Sequence, residues 1–134
     1  METDDRYRAP ALDKGLDILE LLASVDGGLS QAEIAKYLDR SPNEFYRMLD
    51  RLVKRGYVTK LEGDRYSLTL KLFGLAHLHA PVRRLASFAT PFMRELADRS
   101  RQANQLAVFD RGSVVVIAQQ ERSEEHTSEL QSRL

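Results

Sequence analysis

The chain has 134 residues, of which 43% are hydrophobic and 30% charged, with 20 basic and 20 acidic side chains and a formal net charge of zero. That length suits one ordinary domain, or a small complete domain and part of another, and the balance is that of a folded globular chain and not of a disordered one. With no cysteine, disulfides, thiolate metal sites and cysteine nucleophiles are excluded; no apolar run nears the ~20 residues of a membrane-spanning helix, and the start METDDRYRAP is too acidic for a secretory signal, so a cytoplasmic location is expected.

From Ala11 to Val25, ALDKGLDILELLASV reads as a helix stopped by Asp26-Gly27-Gly28. Its apolar residues form two stripes. Leu12, Leu16, Leu19 and Ala23 share one side, while Ile18, Leu21 and Val25 share roughly the other. A helix apolar on two sides needs two surfaces to pack against, and the second stripe is expected to meet another subunit, with burial within its own domain as the alternative. Ser30-Gln-Ala-Glu33 is a capping-box pattern that opens a short helix through Leu38, with Ile34, Ala35 and Leu38 on one face.

After Asp39-Arg40 the device repeats. Ser41-Pro-Asn-Glu44 is a second capping box, with Pro42 at the first helical position, where its missing N–H costs nothing. This second helix is expected over Pro42–Arg55 and ends at Gly56, with Phe45, Met48, Leu49, Leu52 and Val53 as its core face. Asn43, Arg47, Asp50 and Lys54 then point the opposite way. Two short helices joined by so tight a turn cross steeply, which is helix-turn-helix geometry. Tyr57–Leu61 and Arg65–Leu68 read as strands joined by the turn Glu62-Gly63-Asp64, completing the order of a winged helix domain.

Charge is distributed unevenly along these elements. Residues 1–39 are acidic, whereas Arg40, Arg47, Arg51, Lys54, Arg55, Lys60, Arg65 and Lys71 face only Glu44, Asp50, Glu62 and Asp64 in the next stretch. A local cationic surface inside a neutral chain can steer and hold a polyanion.

Thr69–Ala80, TLKLFGLAHLHA, reads as a linker helix that is apolar on more than one face and ends at Pro81. Leu85, Phe88, Ala89, Phe92 and Leu96 mark a further amphipathic helix, expected to break or kink near Thr90-Pro91. Asn104–Phe109 and Val114–Ala118 read as strands around Asp110-Arg-Gly-Ser113. The stretch from Arg122 to Ser132 resembles the in-frame translation of a commonly used sequencing-library adapter, so it is set aside as an artefactual tail and His126 is given no role.

Up to that tail, roughly Ala11 to Glu121, the chain resembles the IclR family of bacterial transcription regulators. The residues that carry the resemblance are ALDKGLDILELL, LSQAEIAKYLDRSPNEFYRMLDRLVKRGYV, DRYSLTLKLFGLA and LASFATPFMRELADRSRQANQLAVFDRGSVVVIAQQE. The fold class expected is mainly α with small β: a winged helix-turn-helix domain at 1–68, a linker helix at 69–80, the truncated start of an α+β effector-binding domain at 81–121, and the tail at 122–134. The resemblance implies a dimeric repressor or activator, sometimes a tetramer, whose C-terminal domain binds a small metabolite. The expected partners are double-stranded DNA, a second copy through the first helix and the linker helix, and a small-molecule effector only in the intact parent; no cofactor and no membrane are expected.

On DNA, the helix Pro42–Arg55 is the one expected to enter the major groove, because its N-terminal residues protrude past a helix that braces it. Asn43, Tyr46 and Arg47 are the candidate base readers, since Arg can grip guanine bidentately and Asn adenine. Ser30, Gln31, Ser41, Arg51 and Lys54 suit phosphate, and Arg65 in the wing suits the backbone or the minor groove. Asp50 argues against deep insertion of the second turn, since its carboxylate would meet phosphate unless Arg47, Arg51 or Lys54 neutralises it. The rival is a winged helix used for protein contact, which would want an apolar recognition face. An enzyme is not expected: His77 and His79, two apart on a helix, diverge too far to share a metal, and no phosphate loop or nucleophile elbow is present.

Overall fold

The computed structural model describes residues 5–122. The adapter-like run beyond Arg122, with His126, lies outside the described residues. The chain divides into two compact units, one up to Gly74 and one from Leu75.

The first unit begins with α1 (Pro10–Ala23), where proline occupies the opening turn and its missing N–H leaves no bond unmade. Ile18 and Leu22 of α1 are buried, and Leu21 and Val25 pack against the same core. The stripe expected to meet another subunit is therefore the one that faces the chain's own core, the alternative of burial within its own domain. The outward stripe is the other one: Leu12 is 61% and Leu16 45% exposed. Spacing had shown that both faces were apolar, but only the neighbours decide which is covered.

Helix α2 (Gln31–Tyr37) starts at Ser30, whose hydroxyl accepts from the Glu33 backbone N–H at 3.1 Å. The Glu33 carboxylate accepts from that hydroxyl at 3.2 Å and from Arg65. The α2 turn closes as Arg40 N–H reaches the Ala35 carbonyl at 2.9 Å, with Asp39 in the left-handed region at φ +52°. Ile34 and Ala35 are buried.

The next helix is not continuous over Pro42–Arg55 as expected. Pro42–Glu44 form a 3-10 turn and α3 runs Tyr46–Lys54, with fully buried Phe45 at the joint. The tighter turn lets Phe45 drop into the core while Asn43 stays on the surface. Leu49 is buried beside it, and Met48, Leu52 and Val53 pack around the same cluster, as their spacing implied. Gly56, at φ +84°, ends the helix, and Tyr57 N–H returns to the Leu52 carbonyl at 3.0 Å.

Three strands complete the unit in the order β1-β3-β2, namely β1 (Leu29–Ser30), β2 (Val58–Leu61) and β3 (Arg65–Leu68). β3 pairs antiparallel with both neighbours, in the registers Lys60↔Tyr66 and Ser30↔Arg65. Two residues are too few to show alternation, so β1 escapes a sequence reading. Its approach to β3 demands glycine next door: a Cβ on Gly28, which sits at φ +76°, would lie 2.5 Å from the Tyr66 carbonyl oxygen.

Helix α4 (Lys71–Leu78) spans the boundary between the units and α5 (Ala80–Ser100) follows after a one-residue break at His79. Pro81 thus opens α5 and does not close α4. Of the expected break or kink near Pro91, the break does not occur: α5 runs through Pro91, and the Thr90 hydroxyl donates to the Ala86 carbonyl at 2.6 Å. β4 (Asn104–Asp110) and β5 (Ser113–Gln120) form an antiparallel hairpin with a bulge after Leu106, turning through Arg111 and Gly112, both at positive φ. Met93 and Ala97 of α5 are buried against it. Among the described residues, no helix is long and apolar enough to cross a membrane.

Candidate nucleic-acid interface

The outer surface of the helix-turn-helix is assembled by three polar ties that hold the 3-10 turn in place. The Gln31 side-chain amide donates to the Pro42 carbonyl at 2.8 Å, fastening the turn to the N-terminus of α2. Ser41 N–H donates to the Glu44 carboxylate at 2.9 Å, the reaching-back half of the capping box. Lys14 of α1 stands 3.8 Å from the other Glu44 oxygen. Beneath them, Phe45 anchors the backbone in the core.

This scaffold brings Ser41, Asn43, Tyr46 and Arg47 together as exposed side chains on one end of α3. Tyr46 is 64% exposed, so it does not pack beneath the wing. One turn further on, Lys54 pairs with Asp50 at 3.2 Å, an i,i+4 contact that supplies the neutralisation Asp50 requires. Among the described residues, no ion pair involves Arg47 or Arg51. Arg51 is exposed but lies beside α1, where with Arg55 it borders an apolar groove of about 310 Å3 floored by Leu12, Leu16, Leu19, Met48 and Leu52.

Three other candidates are turned inward. The Ser30 hydroxyl serves the α2 cap, and the Gln31 amide serves Pro42. The Arg65 guanidinium donates to the Gly27 carbonyl at 3.1 Å, the Gly28 carbonyl at 2.6 Å and the Glu33 carboxylate at 3.3 Å. These bonds tie the guanidinium to the start of α2, filling its planar fork with three acceptors.

The wing instead exposes a cation that the sequence reading did not single out. Lys60 lies 3.2 Å from Asp64 and 5.8 Å from the centroid of the Tyr66 ring. Its pKa is raised above the ordinary lysine value by the Asp64 hydrogen bond, then by the charge of Asp64, with smaller contributions from Tyr66 and from Tyr46 on α3. The signal was the alternation of β2, which puts Lys60 on the same face as buried Val58, one step beyond the core's edge. At the other end of α3, Lys71 reaches the Arg55 carbonyl and stands 4.6 Å from the Tyr57 ring, while the Thr69 hydroxyl caps the Gly56 carbonyl. Among the described residues, no group of three or more His, Asp or Glu side chains is arranged to hold a metal ion.

Residues 11–62 match the family model described as the IclR helix-turn-helix domain. Over 116 residues the chain is 33% identical to the HTH-type transcriptional regulator BhcR of Paracoccus denitrificans, a match that covers 85% of this chain and 41% of that protein. It is 27% identical to the Pca regulon regulatory protein of Pseudomonas putida, over 87% of this chain and 40% of that one. The crystal structure of an IclR family transcriptional regulator from Brucella abortus superposes with a TM-score of 0.72 at 27% identity, covering 90% of this chain and 46% of that one. The chain thus spans about two fifths of the length of these curated relatives. Matched by the domain model across the helix-turn-helix and by such relatives along most of its length, the chain belongs to the IclR family of bacterial transcription regulators.

Proposed function

We propose that this chain is the DNA-binding portion of a transcription regulator that reads double-stranded DNA through α3. The observation that carries the reading is the exposed group Asn43, Tyr46 and Arg47, held at the N-terminal end of α3 by a turn that α2 braces. Arginine and asparagine there match the bidentate demands of guanine and adenine, and each such pair contributes on the order of 1–3 kcal/mol of discrimination. Ser41, Arg51 and Lys54 supply phosphate contacts that set register without reading sequence. Ser30, Gln31 and Arg65 hold the scaffold.

In this reading two copies act together. Leu12 and Leu16 on α1, with Leu70 just before α4, leave apolar surface open to solvent. A twofold pair of α3 helices would meet a pseudo-palindromic operator, as two-fold symmetric proteins do. The second unit is read as part of a domain that senses a small metabolite in a longer protein, and the site of action is the cytoplasm, where bacterial DNA lies.

The test is fluorescence anisotropy of the 134-residue chain with random duplex DNA across a salt series. Log affinity is expected to fall linearly with log salt, by about 0.9 for each phosphate neutralised. A folded chain that shows no binding even at low salt overturns the reading.

A further inference from the structure

We propose that the two cations of the wing divide the work: Lys60 is the side chain the wing presents to DNA phosphate, and Arg65 is a positioning residue that locks the wing to the start of α2. The inference rests on the DNA-binding reading above and assigns the wing's part in it. Arg65 lies on β3 opposite Ser30, and its fork joins three points of one neighbourhood: two consecutive carbonyls of the Gly27-Gly28 loop and the Glu33 carboxylate in the first turn of α2. An arginine so engaged would have to abandon three acceptors, one of them a charge, to meet a phosphate. Gly28 shows how close the lock is, since no side chain fits between that loop and β3.

Lys60 is placed differently. Its only ion partner among the described residues is Asp64, across the turn of its own hairpin and 86% exposed at its side chain. An exposed pair of this kind is weak and exchanges readily for a stronger anion. The exposed Lys60 amine stands 5.8 Å from the Tyr66 ring centroid, on the outer strand of the three-stranded sheet, where the register sets Lys60 opposite Tyr66. Asp64 keeps the amine in place until phosphate displaces it.

The experiment compares the full chain with Lys60→Gln and Arg65→Lys, using random duplex DNA in a salt series and amide hydrogen exchange on the free proteins. Lys60→Gln is expected to make the log–log salt slope shallower by about 0.9 and to weaken binding about eightfold at 0.1 M salt, with wild-type exchange throughout. Arg65→Lys keeps the charge, which suffices for a phosphate contact, but a lysine cannot bridge three acceptors. It is expected to lose about tenfold of amide protection at Leu29 and Tyr66 and to bind more weakly than wild type. A Lys60→Gln chain with the wild-type slope, or an Arg65→Lys chain with wild-type affinity and protection, overturns the division of roles. Wild-type chain that fails to bind overturns the DNA reading itself, a result distinct from either.

Discussion

The two units use similar elements to different effect. In the first, three helices and a three-stranded sheet enclose Ile18, Leu22, Leu29, Ile34, Ala35, Phe45, Leu49 and Val58. Among the described residues of the second, one long helix lies on a two-stranded hairpin and the buried hydrophobics are Met93 and Ala97, with Phe109 76% and Val114 71% exposed. The difference is one of layers and not of hydrophobicity. A hairpin covered on one side has its other face and both edges open, and two strands alone are marginal in water. In the first unit β1, only two residues long, pairs with β3 and brings Leu29 into the same core cluster as Phe45, so helices and sheet share one core.

The sharpest way to break the comparison is to empty the first core. Phe45→Ala is expected to cost about 3–5 kcal/mol, a large part of a small domain's stability, in urea unfolding followed at the α1–α3 amides. Met93→Ala in the second unit should cost about 2 kcal/mol, at the low end for such truncations, because less surrounds it. Native-state hydrogen exchange should rank the regions in the same order, with β4 and β5 amides less protected than those of α3; equal protection would contradict the one-sided covering of the hairpin.

Gly28→Ala tests the closure by β1, and its left-handed φ and the clash with Tyr66 are expected to cost roughly 1–3 kcal/mol in the same unfolding experiment. Ser30→Ala removes the α2 cap, with an expected loss of about 1 kcal/mol; a neutral result would mean that the Arg65–Glu33 contact holds the helix start unaided. Arg47→Ala should leave stability within about 0.5 kcal/mol, yet weaken binding to an operator more than binding to random DNA. Equal loss on both DNAs would make Arg47 a phosphate contact. The smallest effect is at the wing: Asp64→Asn should lower the Lys60 pKa toward its ordinary value, read by NMR titration. The linkage has one sign: a raised folded pKa stabilises at neutral pH, and that contribution fades only as pH climbs through it.

Local signals in the sequence determined most of the first unit. The serine caps, Pro42, Gly56 and the glycine turn at 62–64 act within a few residues of themselves, so their meaning survives without a structure. The exposed end of α3 was legible for the same reason, since a helix whose core face is known has a known outer face. Three things depended on residues far apart in the chain. The stripe of α1 that faces outward depends on where α3 and the sheet pack. The engagement of Arg65 depends on carbonyls 37 and 38 residues away, which its place in the wing hairpin does not announce. Lys60 emerged only once the hairpin register set it against Tyr66. Spacing along the chain decides which residues share a face; which face is covered, and which charge is already spoken for, is decided by partners that only folding brings near.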